Sequence, residues 1–334
     1  MLCCETATLK HLKFNFRMKL IDYIKSSNQT LFSFEILPPL KGGSIDKLFR
    51  GIEPLMEFNP SFVDVTYHRE EYVMRQRQDG SYDKVSIRKR PGTVAICAAI
   101  MQRFDVEAIP HIICGGFSRD ETENALIDLH FLGIDNVLAI RGDNQTGERN
   151  FVPEPNGNKN ALELIRQIKD MNNGIYLDKE LKNPNPTGFC VGAAGYPEKH
   201  IDAMNLDNDL NFLKQKVEAG AQFITTQMFF DNQKFFDFVK RCRDAGIDVP
   251  IIPGIKPITK KRQMRNLPKI FNIDIPLALT EAMSSVKTDE DAYKVGVEWC
   301  VEQCKELKKE GVPVLHFYTM GMSKATKEIA SKLF

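Results

Sequence analysis

The chain has 334 residues, 43% of them apolar and 27% charged, an ordinary globular balance with enough apolar surface to build a core. At roughly 150 residues per domain this length holds about two domains or one large α/β barrel. Lys plus Arg number 45 against 44 Asp plus Glu, a formal charge of +1, which gives no overall field for nucleic acid or an anionic membrane; the longest apolar run, 94–101, is far too short to span a bilayer.

In chain order, residues 1–17 carry scattered charges and no apolar core, so they read as a tail and not as a secretory signal, with Met18 as an alternative start. Eight short apolar runs rich in β-branched and aromatic residues follow. They are 31–37 (LFSFEIL), 62–67 (FVDVTY), 106–114 (VEAIPHIIC), 136–140 (NVLAI), 189–194 (FCVGAA), 222–229 (QFITTQMF), 249–254 (VPIIPG) and 314–319 (VLHFYT). Helical patterns lie between them: 120–132 after Ser118 as an N-cap, 161–171, 206–219 ending at Gly220, and 233–245 ending at Gly246. Two more are 260–267, expected to stop before Pro268, and 289–310, ending at Gly311. Two segments break the rhythm and read as surface excursions: 70–91, a charged loop with Arg75, Arg77, Arg88, Lys89 and Arg90, and the Pro- and Asn-rich 175–187. Eight strands alternating with helices predict an α/β fold, a single-domain (β/α)8 TIM barrel over 18–334, with an open doubly wound sheet as the structural alternative.

Barrel enzymes carry their chemistry at the C-terminal ends of strands, and unusual polar residues recur there. Glu35 sits inside an apolar strand, on one face with Ser33 and Leu37. A carboxylate there is costly unless paired or protonated, which marks it as a functional candidate; a structural partner for a buried Arg is the bland alternative. Thr66 and Tyr67 end the second run, His111 lies in the third, and Arg141-Gly142-Asp143 follows the fourth. Tyr196 and His200 follow the fifth, and Gln227 lies in the sixth. Each has a plain reading too: His111 as a satisfied core histidine, Arg141 to Asp143 as a tight turn with its own ion pair, Tyr196-Pro197 as a rigid turn. Asp209 and Lys216 share a helix face, by default a solvated one.

The eight cysteines form no CxxC pair, and Cys300 and Cys304, four apart, have no neighbouring histidines, so reduced thiols in a cytoplasmic protein without a metal site are expected. There is no GxGxxG fingerprint, no phosphate-cradling GxxxxGK[ST] loop, no HExxH and no GxSxG. The residues alone leave the reaction open.

The motifs FSFEILPP, FVDVTY, PHIIC, AIRGD, AAGYPEKH, DLNFLKQKVEAGAQFITTQMFFD and IIPGIKPI occur in an order that resembles the bacterial type of methylenetetrahydrofolate reductase, from about residue 31 to the C-terminus. The resemblance implies a catalytic domain alone. It is expected to hold FAD noncovalently, take hydride from NADH or NADPH, and reduce 5,10-methylenetetrahydrofolate to 5-methyltetrahydrofolate in ping-pong turnover that feeds methionine synthesis. By the same resemblance Glu35 matches the general acid and Asp143 a carboxylate near flavin and folate. Thr66, Tyr67, His111, Arg141, Gly142, Asp143, Tyr196, His200, Asp209 and Lys216 match flavin-contacting positions, and Gln227 and Gln263 folate-contacting ones. Met322 stands where a folate-tail arginine is found in the family, with Lys324 nearby, and Leu267 where an aromatic residue stacks on substrate. His68-Arg69 replaces a pair of small residues. A homo-oligomer is implied by analogy. Alternatives are another flavin barrel such as a proline-dehydrogenase-like enzyme, a flavin-free Schiff-base lyase using Lys256, and a non-catalytic scaffold.

Overall fold

The computed structural model describes residues 18–87, 90–144, 148 and 150–334. The tail expected over 1–17, and Arg88 and Lys89 of the basic stretch, lie outside the described residues.

The strands are β1 (Leu31–Ile36), β2 (Phe62–Val65), β3 (Glu71–Gln76), β4 (Tyr82–Ile87), β5 (Glu107–Ile113), β6 (Asn136–Ile140), β7 (Cys190–Gly195), β8 (Phe223–Met228), β9 (Ile251–Ile255) and β10 (Val314–Tyr318). The helices are α1 (Leu20–Ser26), α2 (Ile45–Ile52), α3 (Thr93–Phe104), α4 (Arg119–Phe131), α5 (Ala161–Asn172), α6 (Leu206–Glu218), α7 (Asn232–Asp244), α8 (Gln263–Phe271), α9 (Leu277–Ser284), α10 (Asp289–Lys309) and α11 (Ser323–Ala330). Eight strands close a parallel barrel in the order β1-β10-β9-β8-β7-β6-β5-β2, with β2 pairing back onto β1. The expected (β/α)8 barrel is therefore present, and its strands fall on the eight apolar runs.

Local chemistry explains where the helices begin. Ser118 and Glu121 form a reciprocal capping box at α4. The side chains of Asn160, Asn205, Asp231 and Thr288 accept backbone N–H groups at the starts of α5, α6, α7 and α10. The barrel interior is closed at its N-terminal end by one apolar residue from almost every strand: Phe62, Ile109, Leu138, Cys190, Phe223, Ile252 and Val314, with Leu20 of α1 beneath them. Asn136 fixes that helix by accepting the Leu20 N–H at 2.8 Å. The outward strand faces pack against the helices in a second, larger core. Only the C-terminal end of the barrel is left open.

Two expectations need correction. The excursion at 70–91 is not a plain loop: β3 and β4 form an antiparallel hairpin outside the barrel. Its signal was Asp79-Gly80, where Gly80 takes φ +84° and Asp79 Oδ1 accepts the Ser81 N–H; the surrounding charges masked the strand alternation. The helix expected over 260–267 instead runs Gln263–Phe271, with Pro268 inside it. Proline forfeits one backbone hydrogen bond there, but buried Leu267 anchors the helix and Asn272, at φ 54°, caps it. The excursion at 175–187 contains no helix or strand, as expected.

Gly296 of α10 meets the chain following β9 so closely that an added Cβ would lie 1.7 Å from the Ile258 carbonyl oxygen. Gly296→Ala is expected to cost about 1–3 kcal/mol by forcing these backbones apart. The denaturation midpoint should fall accordingly, and an unchanged midpoint would show that the contact yields freely.

Candidate active site

The open end of the barrel holds a cavity of about 490 Å³ lined by Glu35, Asp64, Thr66, Tyr67, His68, His111, Arg141, Gly142, Asp143, Tyr196, His200 and Gln227 among others. A second depression of about 560 Å³ shares Arg141, Tyr196 and His200 with it and continues past Phe151, Asn160, Asp209 and Lys216. The polar strand ends read from the sequence thus converge on one elongated groove.

Glu35 owes its position to the pleat of β1. Phe32, Phe34 and Ile36 point outward into the helix-packed core, which turns Ser33 and Glu35 inward. The Glu35 side chain is 15% exposed, and its Oε2 lies 3.7 Å from His111 Nε2. Burial pushes its carboxyl up to about 7; His111 and Lys256 pull it down and Asp64 pushes it further up. Burial is the largest single influence on His111 and lowers it, but the hydrogen bond to Asp64 and the charges of Glu35 and Asp64 together outweigh it, so His111 titrates higher than usual. A carboxylic acid that retains its proton near neutral pH, facing a cavity, is equipped to donate it.

The second depression is built on α6 and the end of β7. Lys216 was expected on a solvated face but is buried: its Nζ donates to the Ala194 carbonyl at 2.6 Å. Burial pulls this amine down to about 8. Asp209, two turns earlier, accepts the His200 N–H at 2.8 Å. His200 Nδ1 in turn accepts the Asp202 N–H at 3.1 Å, and burial and the Arg141 charge lower the imidazole below its ordinary value. Tyr196 packs edge-on against His200 at 4.7 Å, and burial raises its phenol. Arg141 pairs with Asp202, not with Asp143 of its own turn, and its guanidinium lies 5.1 Å over the Phe151 ring. Asp143 is thereby left exposed at the cavity wall. Gly142 takes φ +84°, and a Cβ would press on Ile113 at 3.2 Å.

The donor set fits a flavin dinucleotide. The two connected depressions give an elongated site with a cationic segment at Lys216 and Arg141, suited to a pyrophosphate. Among the described residues no group of His, Cys, Asp and Glu is arranged to hold a metal, and no helix is long and apolar enough to cross a membrane. The described cysteines are buried free thiols.

Other assignments land elsewhere. Gln227 lines the cavity, its Oε1 accepting the Met228 N–H. Gln263 does not; its Oε1 accepts the N–H groups of Thr259 and Lys260 and so organises the turn before α8. Leu267 is buried in the α8–α10 core, while Ile270 and Phe271 of the same helix line the cavity. The Lys324 ammonium sits over the Tyr293 ring. Lys256 is 2% exposed, donates to the Tyr318 carbonyl at 3.0 Å and lies outside the cavity lining. Residues absent from the sequence reading are Asp64, Tyr318, Phe151 and Asn160. FVDVTY did place an acid in an apolar strand, the same signal that marked Glu35.

Residues 19–334 match the family model described as methylenetetrahydrofolate reductase. The chain is 32% identical over 329 residues to methylenetetrahydrofolate reductase (NADH) 1 of Arabidopsis thaliana, covering 95% of this chain and 51% of that protein. A probable methylenetetrahydrofolate reductase (NADPH) of Caenorhabditis elegans is 32% identical, with 94% and 43% covered. The 5,10-methylenetetrahydrofolate reductase of Salmonella typhimurium is 31% identical, with 90% of each chain covered. The chain therefore spans about half the length of its plant relatives and nine tenths of the bacterial one. Among solved structures, an uncharacterized protein from Clostridium thermocellum that binds two copies of 5-methyl-5,6,7,8-tetrahydrofolic acid has a TM-score of 0.57 at 14% identity, covering 94% of this chain and 99% of that one. That likeness speaks for the fold.

The raised Glu35 carboxyl makes stability depend on pH in a defined direction. Folding lifts it from its ordinary value of 4.5 to about 7, so between those limits the folded state binds more protons than the unfolded one and loses stability as pH rises. Glu35→Gln removes this loss. Relative to wild type, the variant should gain on the order of 1–3 kcal/mol between pH 4.5 and pH 8. Denaturation at the two pH values checks this; a constant difference would mean Glu35 titrates normally.

Proposed function

The chain belongs to the methylenetetrahydrofolate reductase family, and from that membership we propose that it reduces 5,10-methylenetetrahydrofolate to 5-methyltetrahydrofolate, using NADH or NADPH and noncovalently bound FAD. The names of its relatives divide between NADH and NADPH. The product is a methyl donor of the kind methionine synthesis consumes. The observation that carries the reading is Glu35: a carboxyl held near pH 7 at the wall of a groove long enough for a dinucleotide.

The methylene bridge of the substrate joins two nitrogens. It must open to an iminium cation before its carbon accepts hydride, and opening requires a proton on the departing nitrogen. Glu35 supplies that proton: burial raises its carboxyl to about 7, so that a large share stays protonated near neutral pH, and the enclosing barrel limits competition from water. Asp143, exposed at the cavity wall, contributes a negative charge that stabilises the cation. Lys216 and Arg141 would hold the pyrophosphate of FAD, with Thr66, Tyr67, His111, Gly142, Tyr196, His200 and Asp209 around the remainder. The chemistry that a bound FAD supplies is two-electron storage between the two substrates, which makes the kinetics ping-pong. Gln227 is placed to read the pterin.

The primary test is an anaerobic visible spectrum of the purified protein. A flavin band should bleach with NADH or NADPH and return with methylenetetrahydrofolate. A protein that stays colourless with added FAD would overturn the cofactor and bring the Schiff-base and scaffold readings forward. Glu35→Gln should bind FAD and accept hydride from the nicotinamide, yet lose folate reduction by at least about 100-fold, the scale of a general acid; near-normal folate turnover would remove Glu35 from that role. Asp143→Asn should raise the flavin potential and slow the folate half-reaction, whereas an unchanged potential would exclude the electrostatic part assigned to it.

A further inference from the structure

Glu35 has a carboxylate neighbour in the barrel wall. Strand register sets Asp64 of β2 directly beside Glu35 of β1, and on the other side sets His316 of β10 beside Ser33. Asp64 is 1% exposed and His316 fully buried. Asp64 Oδ2 lies 3.4 Å from His111 Nε2 and 3.7 Å from His316 Nε2. The same His111 nitrogen faces Glu35 Oε2 at 3.7 Å. His316 Nδ1 is engaged by Ser33 Oγ at 2.9 Å, but Asp64 Oδ1 and His316 Nε2 have no hydrogen-bond partner among the described residues. Such a layer is costly: a buried acid with an unsatisfied oxygen is usually less stable than an aliphatic residue of its size. Nothing in the packing of β2 requires it, since Val63 and Val65 already supply its contact with the outer core.

We propose that Asp64 is a positioning residue for the acid: its carboxylate anchors the His111 ring and its charge keeps an exchangeable proton on the Glu35–His111 pair, so that Glu35 meets the substrate protonated. The proposal rests on the reading of Glu35 as the proton donor. Two carboxylates at adjacent barrel positions cannot both ionise cheaply. His111 Nε2, aimed at both, engages the Asp64 carboxyl at 3.4 Å and leaves the proton of Glu35 in place. When Glu35 gives its proton to the departing nitrogen, an O–H bond breaks, an N–H bond forms, and the pair is refilled from solvent through His111. The other titratable groups facing this layer do not replace Asp64. Lys256, just past β9, draws the Glu35 proton off; His316 and Tyr318 of β10 and Cys97 of α3 are held neutral by burial.

Asp64→Asn tests this with little change in shape. The readout independent of turnover is an infrared titration of the flavin-loaded protein, with Glu35→Gln subtracted to isolate the Glu35 carboxylic acid band. The band should be lost about one pH unit lower in Asp64→Asn than in wild type. In single-turnover oxidation of the reduced protein by methylenetetrahydrofolate, with rates normalised to flavin content, the alkaline limb should move by the same amount, about tenfold in rate at pH 8.5. Asp64→Ser, smaller and equally uncharged, should shift the band likewise if the amide variant fails to hold flavin. A uniform rate loss with an unmoved band would make Asp64 a structural residue and overturn the proposal. If the wild type reduces no folate, the function is wrong, and the infrared shift still decides whether Asp64 controls the Glu35 proton.

Discussion

The inner face of β1 imposes the constraint from which the site follows. A parallel barrel turns every second residue of each strand into a crowded interior where water is scarce. At the N-terminal end this chain fills that interior with Phe62, Ile109, Leu138, Phe223, Ile252 and Val314. One layer higher it places Glu35, Asp64, His111 and His316 within one contact network. Because the floor is apolar and closed, those groups cannot be solvated from beneath. Their protons must be settled among themselves and with whatever enters from the open end. The raised Glu35 carboxyl follows from where the strand places it, and no unusual residue is needed to produce it.

The same logic separates the two carboxylates of the proposed reaction. Glu35 lies low in the barrel, where burial stabilises its neutral form. Asp143 lies past the end of β6 in an exposed turn, and Arg141, its nearest cation in sequence, is committed to Asp202 and Phe151. One acid is therefore suited to giving a proton and the other to presenting a charge, though both are ordinary side chains. Gly142 makes this division feasible: its positive φ turns the chain sharply between Arg141 and Asp143 while its missing side chain clears Ile113.

The barrel was legible because strand periodicity and helix caps are local. The apolar runs required only neighbours in sequence to be recognised, and Ser118 announces its helix within four residues. The β3–β4 hairpin escaped because its strands have no buried face to enforce alternation, leaving Tyr72, Met74 and Tyr82 exposed among charges. Pro268 misled because a proline's local cost says nothing of the tertiary anchor at Leu267. Helix geometry alone gives Lys216 no more than a solvated face; its partner, the Ala194 carbonyl, is 22 residues away and visible only in the fold. Glu35 stood out as a charge in an apolar strand, and Asp64 carried the same mark. Yet Asp64 acquires meaning only through its neighbours across the sheet, Glu35 and His111, which the sequence separates by 29 and 47 residues.

A groove suited to a dinucleotide without a glycine-rich fingerprint is also a consequence of architecture. In an open doubly wound sheet the pyrophosphate is met by backbone N–H groups at a tight turn, which requires glycines at fixed spacing. Here the candidate pyrophosphate contacts are side chains: Lys216 from α6 and Arg141 from the end of β6. A side chain reaches several ångströms from its backbone, so the turns that carry these residues need no close approach to the ligand and their sequences are free to vary. The cost moves to Lys216, whose amine is buried and depressed to about 8, with the Ala194 carbonyl as its hydrogen-bond acceptor. An amine so placed gains from a phosphate more than a solvated lysine would, because the desolvation has already been met by the fold. In the proposed site, binding strength that the fingerprint draws from backbone geometry would be drawn from a pre-desolvated charge, and a sequence without GxGxxG is compatible with that exchange.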